Sequence, residues 1–137
     1  SVSGRYNLSP QTNLRGAFNY GDGIGRYIGL NLVNDAVVDV QGDLQPIEVK
    51  AGFLALQHYW QPRLRSSVGV SFFQADPSTG TPMLDLTTDA RSAHLNLIYQ
   101  LQPKLEVGAE LTHAERTRDD GAEGAMNRLQ LSAKYSF

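Results

Sequence analysis

The chain contains no cysteine, and no stretch approaches the ~18 consecutive apolar residues of a membrane-spanning helix. The first absence excludes a disulfide framework and a thiolate metal site. The second excludes a transmembrane helix. Neither excludes a membrane-spanning β-barrel, because its apolar residues alternate with polar ones and average out in any hydropathy window. A charged and apolar leader is also missing before S-V-S-G, so we expect any signal peptide to have been removed or to lie outside this sequence.

The clearest pattern lies at the carboxy-terminal end, where residues 127–137 read N-R-L-Q-L-S-A-K-Y-S-F. Alternate side chains of a strand point to opposite faces, so this segment carries one apolar and one polar face. Its length suits a tilted membrane-spanning strand of ~9–11 residues. Tyr135 and Phe137 lie where the aromatic girdle of such a barrel would be. The segment therefore predicts a strand of an outer-membrane β-barrel.

Six further segments show strand patterns: 1–8, 13–21, 47–60, 65–74, 91–101 and 105–115. Together with 127–137 they make seven predicted strands. Segment 47–60 has apolar residues at both sets of alternate positions, and a bulge near Gly52 would reconcile the two registers. We interpret 22–46 as a long, partly structured loop that extends the second strand. Its pieces I-G-R-Y-I-G-L-N and A-V-V-D-V are candidate short strands.

The connections alternate between short segments (9–12, 61–64, 102–104) and long ones (22–46, 75–90, 116–126), and aromatic residues gather near the short ones. This alternation is typical of barrels with short periplasmic turns and long outer loops. We therefore predict an all-β, antiparallel up-and-down transmembrane β-barrel of about seven or eight strands. The chain would form a single domain over 1–137, or the C-terminal portion of one, in the bacterial outer membrane. Since bacterial barrels have even strand numbers, the wall needs the rest of a larger barrel, an extra strand within 22–46, or another chain.

Charge is distributed unevenly, although the net charge is only −2. The stretches 22–46, 74–90 and 116–127 hold ten acidic and three basic residues, so the remainder of the chain carries +5. Basic residues at polar strand positions are candidates to line a pore and contact solutes: Arg5, Arg15, Lys50, Arg65, Arg128 and Lys134. Rings of such residues attract anions. The alternative is that they brace the wall through ion pairs with Glu48, Glu106 and Glu110.

Other chemistry finds little support in the sequence. His94 with Ser92 and Asp89 suggests a hydrolase, but nothing picks the remaining partner, so we expect no enzymatic activity. The acidic loops lack the calcium-loop layout, and G-D-G-I-G lacks the Lys-Ser/Thr of a phosphate loop. We accordingly expect no metal, no cofactor and no nucleic-acid partner.

Six segments of the chain are distinctive as sequence motifs: G-R-Y-N-L (4–8), N-Y-G-D-G-I-G-R-Y-I-G-L-N (19–31), A-G-F-L-A-L-Q-H-Y-W (51–60), S-A-H-L-N-L-I-Y (92–99), L-E-V-G-A-E-L (105–111) and the ending 127–137. Together they resemble the DcaP-like porins of proteobacteria. The resemblance implies a homotrimeric, sixteen-stranded porin whose basic constriction admits small anionic solutes such as dicarboxylates. It implies contact with outer-membrane lipid and lipopolysaccharide. By length, this chain would cover the C-terminal half of such a barrel.

Three functions remain open on the sequence alone. The first is an anion-preferring porin, or its C-terminal part, for passive diffusion. The second is a small non-conducting barrel with a structural or anchoring role, since about eight strands are filled by their own side chains. The third is a soluble β-sandwich with an interaction role.

Overall fold

The computed structural model describes residues 1–28, 32–39, 41–77 and 86–137. One antiparallel sheet of seven strands dominates these residues. In sheet order the strands are β1 (Val2–Ser9), β2 (Thr12–Asp22), β5 (Glu48–Gln61), β6 (Leu64–Asp76), β7 (Thr87–Gln102), β8 (Leu105–Arg118) and β9 (Glu123–Tyr135). Each strand pairs with the next long strand along the chain, which makes the sheet an up-and-down meander. The predicted all-β class and topology are confirmed, and the sheet is open, with β1 and β9 at its edges.

The connections differ in length at the two ends of the sheet. At one end, the short-turn end, the connections 10–11, 62–63 and 103–104 have two residues each. At the other, the long-loop end, they are 23–47, 77–86 and 119–122. The last of these was expected to be a long loop, but β8 and β9 extend past the predicted bounds and leave a tight turn. Gly121 has a φ of 79° there and its N–H donates to the Arg118 carbonyl at 3.0 Å.

Strand β5 has one continuous register with both neighbours through Gly52, so the predicted bulge at that residue is wrong. The irregularity on the β6 side lies at Tyr59/Gln61 instead. Apolar residues occupy both sets of positions for a different reason. Val49 is fully buried on one face under the segment that follows β2, whereas Leu54 is half exposed on the other.

The apolar face of the sheet is defined by a row of cross-strand partners that runs through all seven strands. The row is Tyr6, Leu14, Leu56, Val68, Leu95, Leu111 and Leu129. Leu129 is 64% exposed and Leu131 is 75% exposed, and the buried core lies elsewhere in the described part of the chain. A soluble protein rarely leaves so large an apolar surface uncovered. The soluble β-sandwich, which needs these leucines in a dry core, is therefore wrong for this sheet.

Aromatic residues border this face near the short-turn end. Trp60 donates its indole N–H to the Ser66 hydroxyl at 2.8 Å, and Tyr135 packs edge-on against Phe137. Tyr99 is also on this face, as the partner of Leu64. Tyr59 also lies near the short-turn end, but the β5 register turns it to the opposite face.

The described residues between β2 and β5 (23–28, 32–39 and 41–47) form the inner loop, which folds back onto the sheet instead of extending β2. It contains a helix of one turn, α1 (Gly25–Ile28), and a hairpin of β3 (Ala36–Val38) and β4 (Leu44–Pro46). The first predicted short strand is therefore helical over residues 25–28, while its residues 29–31 lie outside the described part. The second is confirmed over residues 36–38. No helix among the described residues has the length and apolarity to cross a membrane.

The buried core joins the inner loop to the sheet. Its members are Val33, Val37 and Ile47 from the loop, Val49, Ala51, Phe73 and Ala75 from β5 and β6, and Leu86. The strand members alternate with residues of the apolar face, so they point the other way. The inner loop therefore covers the opposite face at its long-loop end.

Candidate functional site

The face opposite the apolar one carries a second row of cross-strand partners and is named the basic face. The row is Arg5, Arg15, Ala55, Gly69, His94, Thr112 and Arg128. Three predicted pore residues therefore share one row, although they come from strands far apart in sequence. Two more lie on the same face nearer the short-turn end: Arg65, the partner of Tyr59, and Lys134, the partner of Glu106.

Lys50 does not belong to this group. Its cross-strand partners are Tyr20 and Gln74, on the apolar side of the sheet beyond Phe18 and Phe72. Its ammonium pairs with Glu48 at 2.8 Å and lies 5.6 Å from the centre of the Tyr20 ring. The prediction that Lys50 lies with the other five bases is therefore wrong. The error arose because the alternation of residues 47–60 did not fix which face each side chain of β5 occupies.

The acidic residues of the basic face come from β8 and neutralise the neighbouring bases. Arg65 makes a two-pronged contact with Glu106, with Nη1–Oε1 at 3.0 Å and Nη2–Oε2 at 3.3 Å. Arg128 lies 3.8 Å from Glu110. The bracing alternative thus describes Arg65 well, with Glu106 and Glu110 as predicted partners. Glu48, the third predicted partner, lies on the other face.

Arg5 and Arg15 have neither an ion pair nor an acidic cross-strand partner among the described residues, unlike the other three bases of this group. They are direct cross-strand partners. The Arg15 Nε donates to the Asn13 Oδ1 at 3.0 Å, and the Asn13 Nδ2 donates to the Gln57 Oε1 at 3.2 Å. Asn13 is only 5% exposed. This chain of amides holds one guanidinium in place without neutralising it.

Small side chains fill the middle of the basic face. The His94 ring lies against Gly69, where an added Cβ would be 2.4 Å from the His94 Cε1. The Ser71 and Ser92 hydroxyls are 2.8 Å apart. Asp89 lies on the opposite face, as the partner of Gln74, so it does not converge with Ser92 and His94 into a triad. The surface is hydrogen-bonding and basic.

The inner loop adds groups that the sequence analysis did not assign to the site. Tyr27 is 85% exposed, and Arg26 pairs with Asp35 at 3.6 Å. Both lie on the loop that covers the basic face. The sequence signal for this placement was the group of apolar residues in an otherwise polar loop. Apolar side chains stabilise a loop only when they are buried, so their presence indicates that the loop packs against the sheet.

The tip of the inner loop is held by Asp39. Its Oδ1 accepts from the backbone N–H groups of Asp43 and Gln41, both at 2.9 Å, and its Oδ2 accepts from the Gln45 amide at 3.0 Å. The Asp43 N–H first, and the Gln45 amide next, lower the pKa of the Asp39 carboxyl below its ordinary value. The carboxylate is therefore part of the turn.

The fold of the seven-stranded sheet is similar to that of a solved structure. The described fold matches the crystal structure of the outer membrane channel DcaP of Acinetobacter baumannii with a TM-score of 0.82 at 20% identity. The match covers 98% of this chain. At this identity the match shows the fold alone, and it confirms the β-barrel fold that the resemblance to DcaP-like porins implied. No family profile matches the sequence, and no curated protein matches it.

The two chains differ in extent. The matched region is 39% of the DcaP chain, so this chain spans well under half the length of that channel wall. The open edges of the seven-stranded sheet agree with this proportion.

Proposed function

We propose that the chain forms part of the wall of a bacterial outer-membrane channel through which small anions diffuse passively. The observation that carries the proposal is the sorting of two neighbouring rows across seven strands. One row is apolar and exposed, and the other contains Arg5, Arg15 and Arg128. In a channel wall the first faces lipid and the second faces water.

The outer-membrane location follows from the apolar face. Strands that span the hydrocarbon layer need apolar side chains on their lipid side, and all of their backbone N–H and C=O groups must be hydrogen-bonded within the barrel. Lipid and lipopolysaccharide are the partners expected on this face. The aromatic residues at the short-turn end suit the interfacial girdle on the periplasmic side.

Closure of the wall requires additional strands. Strands β1 and β9 both run toward the short-turn end, since six connections separate them in the meander. Direct pairing of β1 with β9, within one chain or between copies, would be parallel. An odd number of other strands between them restores antiparallel pairing throughout, and a larger barrel such as that of the DcaP channel provides this geometry. A small barrel closed by these strands alone does not.

Anion preference follows from the balance of charge on the basic face. We count the charges on the part of the basic face that lies directly behind the apolar face. This part carries two acids (Glu106 and Glu110) and five bases (Arg5, Arg15, Arg65, Arg128 and Lys134). Fixed positive charges on a pore wall concentrate anions and exclude cations. Small carboxylates, including dicarboxylates, are the proposed solutes, and a homotrimer is the proposed assembly of the complete channel.

The test is electrical. The full-length protein is reconstituted in planar bilayers, and reversal potentials are measured across a KCl gradient. We expect discrete conductance steps with Cl⁻ more permeant than K⁺. Steps with cation preference contradict the anion part of the proposal, and the absence of steps from a protein shown to be folded favours a structural or anchoring role.

A further inference from the structure

We infer that Phe53 is a specificity-determining residue of the pore wall and contacts the apolar part of a small amphipathic solute. The inference rests on the proposed function, because it takes the basic face to line water, and it adds a class of solute to that function. Phe53 points to the basic face and is 48% exposed. The exposed apolar residues around it, Leu54, Phe18 and Phe72, point to the apolar face instead.

Phe53 belongs to a row of cross-strand partners without any charged residue, which we name the neutral row. The row is Ser3, Ala17, Phe53, Ser71, Ser92, Ala114 and Met126. Each member lies on the basic face, two residues along its strand from the row that contains Arg5, Arg15 and Arg128. At about 3.4 Å per strand residue, the two rows are roughly 7 Å apart. The polar and apolar parts of one small solute can therefore contact neighbouring rows of the wall.

The Phe53 ring stands above small neighbours. Its direct partners in the sheet are Ala17 and Ser71. The Ser71 hydroxyl is hydrogen-bonded to the Ser92 hydroxyl, with the oxygens 2.8 Å apart. These side chains are too short to cover an aromatic ring, which explains why Phe53 is exposed. A ring on a wall that faces water gains free energy when an apolar group covers it, so the apolar part of a solute is favoured at this position.

Phe53 also lies at the edge of the surface that the inner loop covers. Ala51 and Phe73, which are direct partners one step nearer the long-loop end, are buried in the core beneath the loop. Phe53 is two residues further along β5 and lies outside that cover. Because the inner loop occupies space on the pore side of the sheet, a solute that passes the loop travels close to the Phe53 ring. This position allows one apolar side chain to discriminate between solutes.

The inference is tested with two uncharged solutes that differ by an apolar ring, phenyl β-D-glucopyranoside and glucose. Neither carries a charge, so the bases of the wall do not decide the result. The full-length protein is reconstituted in planar bilayers in KCl, and the concentration of each solute that halves the ion current is measured for the wild type, F53A and F72A. Phe72 is the matched control, because it is a phenylalanine on the neighbouring strand β6 that points to the apolar face.

We expect F53A to raise the half-blocking concentration of phenyl glucopyranoside roughly tenfold, as for the loss of an apolar contact in a binding site. The half-blocking concentration of glucose and the KCl reversal potential should stay at their wild-type values, and F72A should change none of the three. Equal changes for both solutes in F53A make Phe53 a steric constriction and overturn the inference, as does the absence of any change. Both results leave the channel function standing, because they are read from conductance steps.

A second measurement does not depend on conduction. Residues 1–137 contain no cysteine, so S71C places a thiol directly opposite Phe53, and the protein without this substitution is the blank. The rate at which a charged, water-soluble methanethiosulfonate modifies the thiol is measured in the folded full-length protein in detergent. We expect phenyl glucopyranoside, but not glucose, to slow the reaction in S71C and to have no effect in S71C/F53A. A thiol that does not react, or protection that persists without the Phe53 ring, overturns the inference even if no channel forms.

Discussion

The Arg65 guanidinium reaches across β7 to the Glu106 carboxylate, with the closest contact at 3.0 Å. The two residues lie on β6 and β8, so the contact joins strands that are not hydrogen-bonded neighbours. Both side chains are about one quarter exposed. The pair fixes the position of a base on the basic face and cancels its charge.

This pair predicts opposite effects of two single substitutions on ion selectivity. Glu106→Gln leaves Arg65 uncompensated and should increase the Cl⁻ over K⁺ permeability ratio. Arg65→Gln leaves the carboxylate uncompensated and should decrease it. The double variant should return close to the wild type, since the removed charges cancel. Reversal potentials in a KCl gradient measure all three, and equal shifts of the same sign in both single variants would contradict the pairing.

Glycine at position 52 predicts a packing defect when a methyl group is added. A Cβ there would be 2.9 Å from both the Ala17 carbonyl oxygen and the Phe72 Cε1, and the backbone oxygen cannot move away cheaply. Gly52→Ala should lower the free energy of unfolding by about 1–3 kcal/mol, the usual cost of overpacking. Gly4→Ala is the matched control, because a Cβ at Gly4 meets nothing within 4 Å. The stabilities of the Gly52→Ala and Gly4→Ala variants are compared by denaturant unfolding in detergent and by the temperature at which the folded band is lost on gels.

Ile47 anchors the inner loop to the basic face. It is fully buried in the core that joins the loop to β5 and β6. Ile47→Ala should cost about 2–5 kcal/mol in the stability of that core, as for other large buried residues. We expect faster proteolysis of residues 23–47 and a larger single-channel conductance. Leu44→Ala, at a largely exposed position of the same loop, should change neither.

Asp39 predicts a pH-dependent difference at the loop tip. The pKa of its carboxyl is lowered in the folded state, so its stabilisation is present above the unfolded pKa and is lost as pH falls through the folded one. Asp39→Asn should therefore speed amide exchange at Asp43 and Gln41 near neutral pH. The difference between variant and wild type should vanish in strong acid. Hydrogen exchange of both proteins at matched pH measures it, and a difference that persists at low pH would contradict the linkage.

The sequence predicted the strands well because their alternation is set by exposure to two different surroundings. It could not set the register of β5, since Val49 and Leu54 are both apolar for unrelated reasons: burial under the inner loop and exposure on the apolar face. Lys50 was placed on the wrong face as a result. The strand ends extend beyond the predicted bounds, because polar residues such as Asp22 and Arg116 continue the ladder past the apolar band. The pairing of Arg5 with Arg15 could not be predicted from the sequence either. It depends on the register of the β1–β2 hairpin, and the turn at 9–12 does not determine that register.

The membrane orientation of the sheet is tested by the depth dependence of an inserted charge. Leu129 lies halfway along β9 on the apolar face, and Asn127 lies two residues nearer the long-loop end on the same face. An arginine in the centre of a lipid-facing surface costs about 2–4 kcal/mol, and one near the interface about 0–1 kcal/mol. Leu129→Arg should therefore destabilise the folded protein far more than Asn127→Arg does. Gln130→Arg controls for the substitution itself, because Gln130 is the partner of Glu110 on the basic face, where a charge remains in water. If Leu129→Arg folds into lipid vesicles as well as Gln130→Arg does, the apolar face does not meet hydrocarbon and the channel wall is oriented otherwise.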